Sequence, residues 1–119
     1  MIYLAAPYSH PDPAIVKGRM ESIYACLAHY MKMGEHIITP LFMHEVVVRN
    51  EDMDDDFHYW GEYCLDLLKR CDRMIVLQLP GWDISRGVAQ EIEFCFRRDI
   101  PVLYIMEEEW KQSTTTRFM

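Results

Sequence analysis

Arg73-Met74-Ile75-Val76-Leu77-Gln78-Leu79 runs into Pro80-Gly81-Trp82-Asp83 and then into Ser85-Arg86-Gly87-Val88-Ala89-Gln90-Glu91-Ile92-Glu93-Phe94-Cys95. The first piece is apolar without alternation, the pattern of a strand covered on both faces. Pro80 and Gly81 interrupt it as a turn. The third piece reads as a helix over 85–98. With Val88 as the centre of its buried face, Ile84, Ile92 and Cys95 cluster around it at about 100° per residue. A buried strand, a short turn and an amphipathic helix are half of a parallel βαβ unit.

The same grammar holds on either side. Ile2-Tyr3-Leu4-Ala5-Ala6 is a short apolar strand halted by Pro7, and the prolines at 7, 11 and 13 make a loop of the next segment. Asp12 suits an N-cap with Pro13 at the first helical position. Val16, Met20, Ile23, Tyr24, Leu27 and Met31 form the expected apolar stripe of that helix, and Gly34 ends it. His36-Ile37-Ile38-Thr39 reads as a second strand closed by Pro40, and 41–48 as a short helix or an extended piece. An acidic run over 51–56 leads into a helix with a stripe of Phe57, Trp60, Cys64, Leu67, Leu68 and Cys71. Acids ahead of a helix favour its macrodipole, so the run needs no further role. Val102-Leu103-Tyr104-Ile105 is a fourth strand, and 107–119 shows no period. Strands alternating with helices predict an α/β fold, a small doubly wound (flavodoxin- or Rossmann-like) sandwich. Its parallel sheet has about four or five strands, in one domain over 1–119.

Composition excludes several classes of function. Half of the 119 residues are hydrophobic, 26% are charged and the net charge is −7, with no basic block. A chain of this kind fills a core but offers no groove for a nucleic-acid backbone. No run approaches the ~20 apolar residues of a membrane span, and the N-terminus lacks the basic start of a signal peptide. The expectation is a cytoplasmic protein with no membrane partner. Cys26, Cys64, Cys71 and Cys95 form no CxxC pair and read as buried, reduced thiols. His10, His29, His36, His44 and His58 contain no i, i+4 pair, so no metal is expected, and no GxGxxG, Walker A or GxSxG motif points to a cofactor or a hydrolase serine.

In doubly wound sheets ligands bind at the carboxyl ends of the strands. Here these are Ala6-Pro7-Tyr8-Ser9, Thr39-Pro40 and 80–85. Glu91 falls about 60° from the centre of its helix's buried face, whereas Glu93 falls on the solvent side. A carboxylate against a core is either a salt-bridged structural group or a functional one, and periodicity weighs the two evenly. Asp83 sits at a ligand-binding strand end but also suits an N-cap. Ser85 offers a hydroxyl beside free helix N–H groups, as an anion site or a plain cap. Asp72, at the other pole, reads as a turn residue. His10 and His44 are further candidates for the pocket.

Three pieces, Ile2-Tyr3-Leu4-Ala5-Ala6-Pro7, Cys71-Asp72-Arg73-Met74-Ile75-Val76 and Ser85-Arg86-Gly87-Val88-Ala89-Gln90-Glu91, together resemble the nucleoside 2-deoxyribosyltransferase superfamily. The closer branch looks like the deoxynucleoside 5′-monophosphate N-glycosidases. The most specific piece is Ser-x-Gly-Val-x-x-Glu after an Asp-bearing strand. The resemblance implies that Glu91 attacks the anomeric carbon and that Tyr3 orients it. It further implies that Asp83 contacts base or sugar and that Ser85, with Gly87 of the same motif, binds a 5′-phosphate. Pro7, Tyr8 and Ser9 complete the expected pocket for a nucleoside or nucleotide, since proline and aromatic surfaces suit a flat base. The expected reaction cleaves or transfers an N-glycosidic bond; the alternative is a non-catalytic nucleotide or nucleotide-sugar binding module. A homodimer or higher oligomer is expected from the resemblance, and from Phe94, Tyr30, Phe42, Tyr63 and Trp110 as aromatics outside the core.

Overall fold

The computed structural model describes residues 1–50, 52–53 and 57–110. Ile2–Ala5 (β1), Ile37–Ile38 (β2), Arg73–Leu77 (β3) and Val102–Ile105 (β4) form an all-parallel sheet in the order β2-β1-β3-β4. Pro13–Lys32 (α1), Leu41–Arg49 (α2), Phe57–Lys69 (α3) and Arg86–Arg97 (α4) connect them, with a 3₁₀ turn at Trp82–Ile84 before α4. This is the doubly wound sandwich that the alternation of elements predicts. The ambiguous segment 41–48 is helical. Most of the acidic run, the Phe57 side chain and the tail over 111–119 lie outside the described residues, while 107–110 are helical.

The strand pleat assigns the two faces. Ile2, Leu4, Ile75 and Leu77 pack with Ile23, Cys26 and Leu27 of α1. Tyr3, Ala5, Met74 and Val76, one step out of phase, pack with Leu68 of α3 and with Val88 and Cys95 of α4. The chain moves one way along the sheet from β1 to β2 and the opposite way from β2 through β3 to β4. Right-handed crossovers therefore put α1 on one face and α3 and α4 on the other. β1 is central, paired with both β2 and β3, which leaves Tyr3 wholly enclosed (0% exposed).

Several sequence expectations are corrected. Tyr24 and Met31 are 57% and 56% exposed, because the inner face of α1 is centred on Ile23, Cys26 and Leu27. Ile84 is 83% exposed, since it belongs to the 3₁₀ turn and the helical phase of α4 does not extend back to it. Trp110 is buried in the α1-side core, and Tyr30 and Phe42 pack half-buried against it. Phe94 is half-covered because α3 lies on its side of α4, and the Arg98 guanidinium sits 4.7 Å over its ring. The exposed aromatic on α4 is Phe96, on the flank away from α3. All four cysteines are buried and free. Among the described residues, no helix is long and apolar enough to cross a membrane.

Candidate functional site

The direction of winding reverses between β1 and β3, and there a cavity of about 390 Å³ opens at the strands' carboxyl ends. That is where doubly wound sheets leave a crevice, and the volume lies within the range of small-molecule sites. Its floor is Leu4, Ala5 and Ala6 at the end of β1. One wall is the loop Pro7, Tyr8 and Ser9; the opposite wall is the first two turns of α4; α2 and α3 close it with His44, Trp60, Gly61 and Cys64.

Glu91 lies in this wall and is buried (7% exposed). The phase of α4 that directs Val88 and Cys95 onto the sheet carries Glu91 toward β1 and α3. There the Tyr3 hydroxyl donates a hydrogen bond to Glu91 Oε2. Among the described residues, Glu91 has no cationic partner, so the salt-bridge reading of this carboxylate does not apply. Burial raises its pKa, outweighing the Tyr3 hydrogen bond that favours the ionised form, and the balance carries it from 4.5 to about 7. Burial, then the Glu91 charge, push the Tyr3 hydroxyl well above its ordinary range, so it stays a donor. The Cys64 thiol is pushed up to about 12, first by burial and then by Glu91, and so remains neutral in the cavity wall. Glu93 points to solvent and pairs with Arg97 at 2.6 Å.

The N-terminus of α4 supplies the polar end of the cavity. Ser85 caps the helix, its Oγ accepting from Val88 N at 3.3 Å, and Ser85, Arg86 and Gly87 all line the space. Gly87 has no packing reason to lack a side chain, since a Cβ there would come no closer than 4.0 Å to any neighbour, Ser85 Oγ. Glycine is a poorer helix former than alanine, and what it leaves here is open space one turn before Glu91.

Pro7, Tyr8, Ser9, Ser85, Gly87 and Glu91 thus gather around one cavity, with Tyr3 directly behind Glu91. Asp83 is not among the lining residues. It is exposed on the 3₁₀ turn, and the cap position falls to Ser85 instead. His44 lines the cavity; His10 is exposed, its Nδ1 accepting from Asp12 N at 2.9 Å.

Sequence reasoning missed Arg19, Trp60, Gly61, Cys64 and Gln90 as cavity residues. Arg19 Nη1 donates to Ser9 O at 2.9 Å and Nη2 to Pro80 O at 3.0 Å, tying the loop after β1 to the turn after β3. Gly81 permits this approach: its φ is +95°, and a Cβ would stand 2.7 Å from Arg19 Nη2. A signal for Arg19 does exist, because it lies only about 40° around the helix from Ile23 once the stripe is centred correctly. Trp60 and Cys64 belong to the expected core stripe of α3, and they are also cavity wall.

A family model described as a domain of unknown function (DUF1937) matches residues 1–108. The chain belongs to the DUF1937 family. The match spans the whole sheet and every residue that lines the cavity, so the DUF1937 unit contains the complete candidate site. No curated protein matches the chain.

Proposed function

We propose that this DUF1937 protein is an enzyme that cleaves or transfers the N-glycosidic bond of a nucleoside or nucleoside 5′-monophosphate, with Glu91 as nucleophile. The observation that carries the reading is a buried carboxylate in a cavity wall whose described partner is one neutral hydroxyl, that of Tyr3. Burying such a group costs free energy that a structural role does not return. The resemblance of the Ser85-to-Glu91 segment to the nucleoside 2-deoxyribosyltransferase superfamily supports the same residue.

In this reaction a Glu91 oxygen bonds to C1′ as the C1′–N bond breaks. The base departs with the bonding electrons and takes up a proton, and the His44 imidazole on the aromatic wall is placed to assist it. A carboxylate beneath the oxocarbenium-like state stabilises its charge and traps the sugar as an ester. Water then attacks C1′, losing a proton and freeing Glu91, or a second base takes the sugar instead. Ser85, Gly87 and the adjacent backbone N–H groups suit a 5′-phosphate or hydroxyl. Asp83 touches base or sugar only if the 3₁₀ turn moves inward.

Phe96, Leu103 and Tyr104, exposed on α4 and on the edge strand β4, support a homo-oligomer. The function is tested by incubating the protein with a panel of nucleosides and monophosphates and measuring free base. Glu91→Gln is expected to lower release by on the order of a thousandfold or more, the scale of losing a key catalytic group, and Glu93→Gln to leave it unchanged. Equal rates for both variants would leave Glu91 a binding residue in a non-catalytic module.

A further inference from the structure

The cavity has two chemically different ends. One is the polar N-terminus of α4, with Arg19 nearby; the other is aromatic and lies at the seam where α3 packs on α4. At that seam the Trp60 ring stacks on Tyr63, with centroids 5.1 Å apart and planes 10° from parallel, and lies 4.8 Å from the His44 ring. Contacts with Tyr63 and His44 hold the Trp60 ring in place in the cavity wall.

Beside it, the Gln90 carboxamide lies over Gly61. A Cβ at position 61 would stand 3.0 Å from Gln90 Oε1 and 3.6 Å from Nε2, so the amide occupies the room that the glycine leaves. Among the described residues, the Gln90 side chain makes no hydrogen bond within the protein. Gln90 lines the cavity, and its carboxamide carries an acceptor and a donor side by side. Gln90 also precedes Glu91 on the same helix, only about 1.5 Å away along the axis and about 100° around it. A sugar held at Glu91 therefore carries its base within reach of this amide.

We propose that Trp60, Gly61 and Gln90 form the subsite that reads the base, with Gln90 as its specificity-determining residue. The ligand class is a planar heterocycle that presents an adjacent hydrogen-bond donor and acceptor. The Trp60 surface that lines the cavity gives the ring apolar contact whatever its substituents, and the carboxamide pairs with the edge through two parallel hydrogen bonds, as glutamine does with the N6/N7 edge of adenine. Gly61 keeps the amide at the depth this pairing needs. The subsite rests on the glycosidic reading of the cavity for its ligand class but not on the chemistry at Glu91.

The test is calorimetric titration of the protein with free adenine, guanine, cytosine, uracil and hypoxanthine, and with unsubstituted purine and pyrimidine. At least one substituted base is expected to bind roughly tenfold or more tightly than its unsubstituted ring, as a bidentate pair implies. Gln90→Leu should reduce that preference to within about twofold while retaining ring binding. Trp60→Ala should weaken all rings alike. Gly61→Ala, which displaces the amide without removing it, should reproduce the loss of preference in a chain whose melting temperature is little changed. A preference that survives Gln90→Leu, or no binding of any base at millimolar concentration, overturns the subsite. Preference that depends on Gln90, without any release of base from nucleosides, supports the subsite and removes the Glu91 chemistry alone.

Discussion

Replacing Glu91 by glutamine should stabilise the protein, and only above a particular pH. The carboxyl titrates at about 7 in the native chain and near 4.5 when the chain unfolds. Between these values the native state binds more protons than the unfolded state, so stability falls as pH rises through the window. At about 1.36 kcal/mol per pH unit, the wild-type chain loses roughly 3 kcal/mol to Glu91 by pH 8. Below pH 4.5 the carboxyl is protonated in both states and this contribution vanishes. The carboxamide of the Glu91→Gln variant keeps the shape, still accepts from the Tyr3 hydroxyl and never ionises. Urea titrations of both chains at intervals from about pH 4 to about pH 9 test this directly. The variant should match the wild type near pH 4 and exceed it by about 3 kcal/mol at pH 8, with most of the divergence between about pH 5 and 7. A difference independent of pH would mean that Glu91 titrates normally and that burial does not raise its pKa. A variant less stable at pH 8 would mean that a cation compensates the carboxylate in solution.

Tyr3→Phe removes the hydrogen bond that holds Glu91 ionised. The acid limb of the pH–rate profile should then move above about pH 7, depressing cleavage at neutral pH and restoring part of it in alkali; an unmoved limb would contradict the pairing. If Glu91 acted as a proton donor rather than a nucleophile, the wild-type rate would fall instead of rise as pH increases through about 7. Gly87→Ala should raise stability in thermal unfolding by less than the roughly 0.5–1 kcal/mol of a mid-helix position, since the new Cβ meets nothing closer than 4.0 Å. The same methyl intrudes on the cavity, so nucleotide affinity should fall; unchanged affinity would place the ligand elsewhere.

The fold is legible in the sequence because the central strands β1 and β3 are buried on both faces and read as unbroken apolar runs, and the phase of α4 singles out Glu91 over Glu93. The phase of α1 is harder to read because Tyr24 and Met31 are apolar yet exposed, which hides the inward direction of Arg19. Trp60, Gly61 and Gln90 leave no joint signal. They come from two helices whose packing sets their proximity, and a polar residue or glycine at such a seam leaves no periodic mark. Asp83 shows the opposite limit. Its position in the chain suits a ligand contact, but the 3₁₀ turn that precedes α4 carries it outward and gives the cap to Ser85.

The central claim is a covalent bond between a sugar and Glu91, and a mechanism-based probe tests it most directly. A 2-fluoro-2-deoxy nucleoside or its 5′-monophosphate destabilises the oxocarbenium-like state that each step passes through, so an ester that forms should persist long enough to detect. Intact-protein and peptide mass spectrometry should show the added mass of one fluorosugar on the peptide containing Glu91, with fragmentation placing it on that residue. Glu91→Gln should remain unlabelled, and Glu93→Gln should label like the wild type. Labelling at any other residue, or base release from ordinary substrates with no adduct on Glu91 from the probe, would contradict the account.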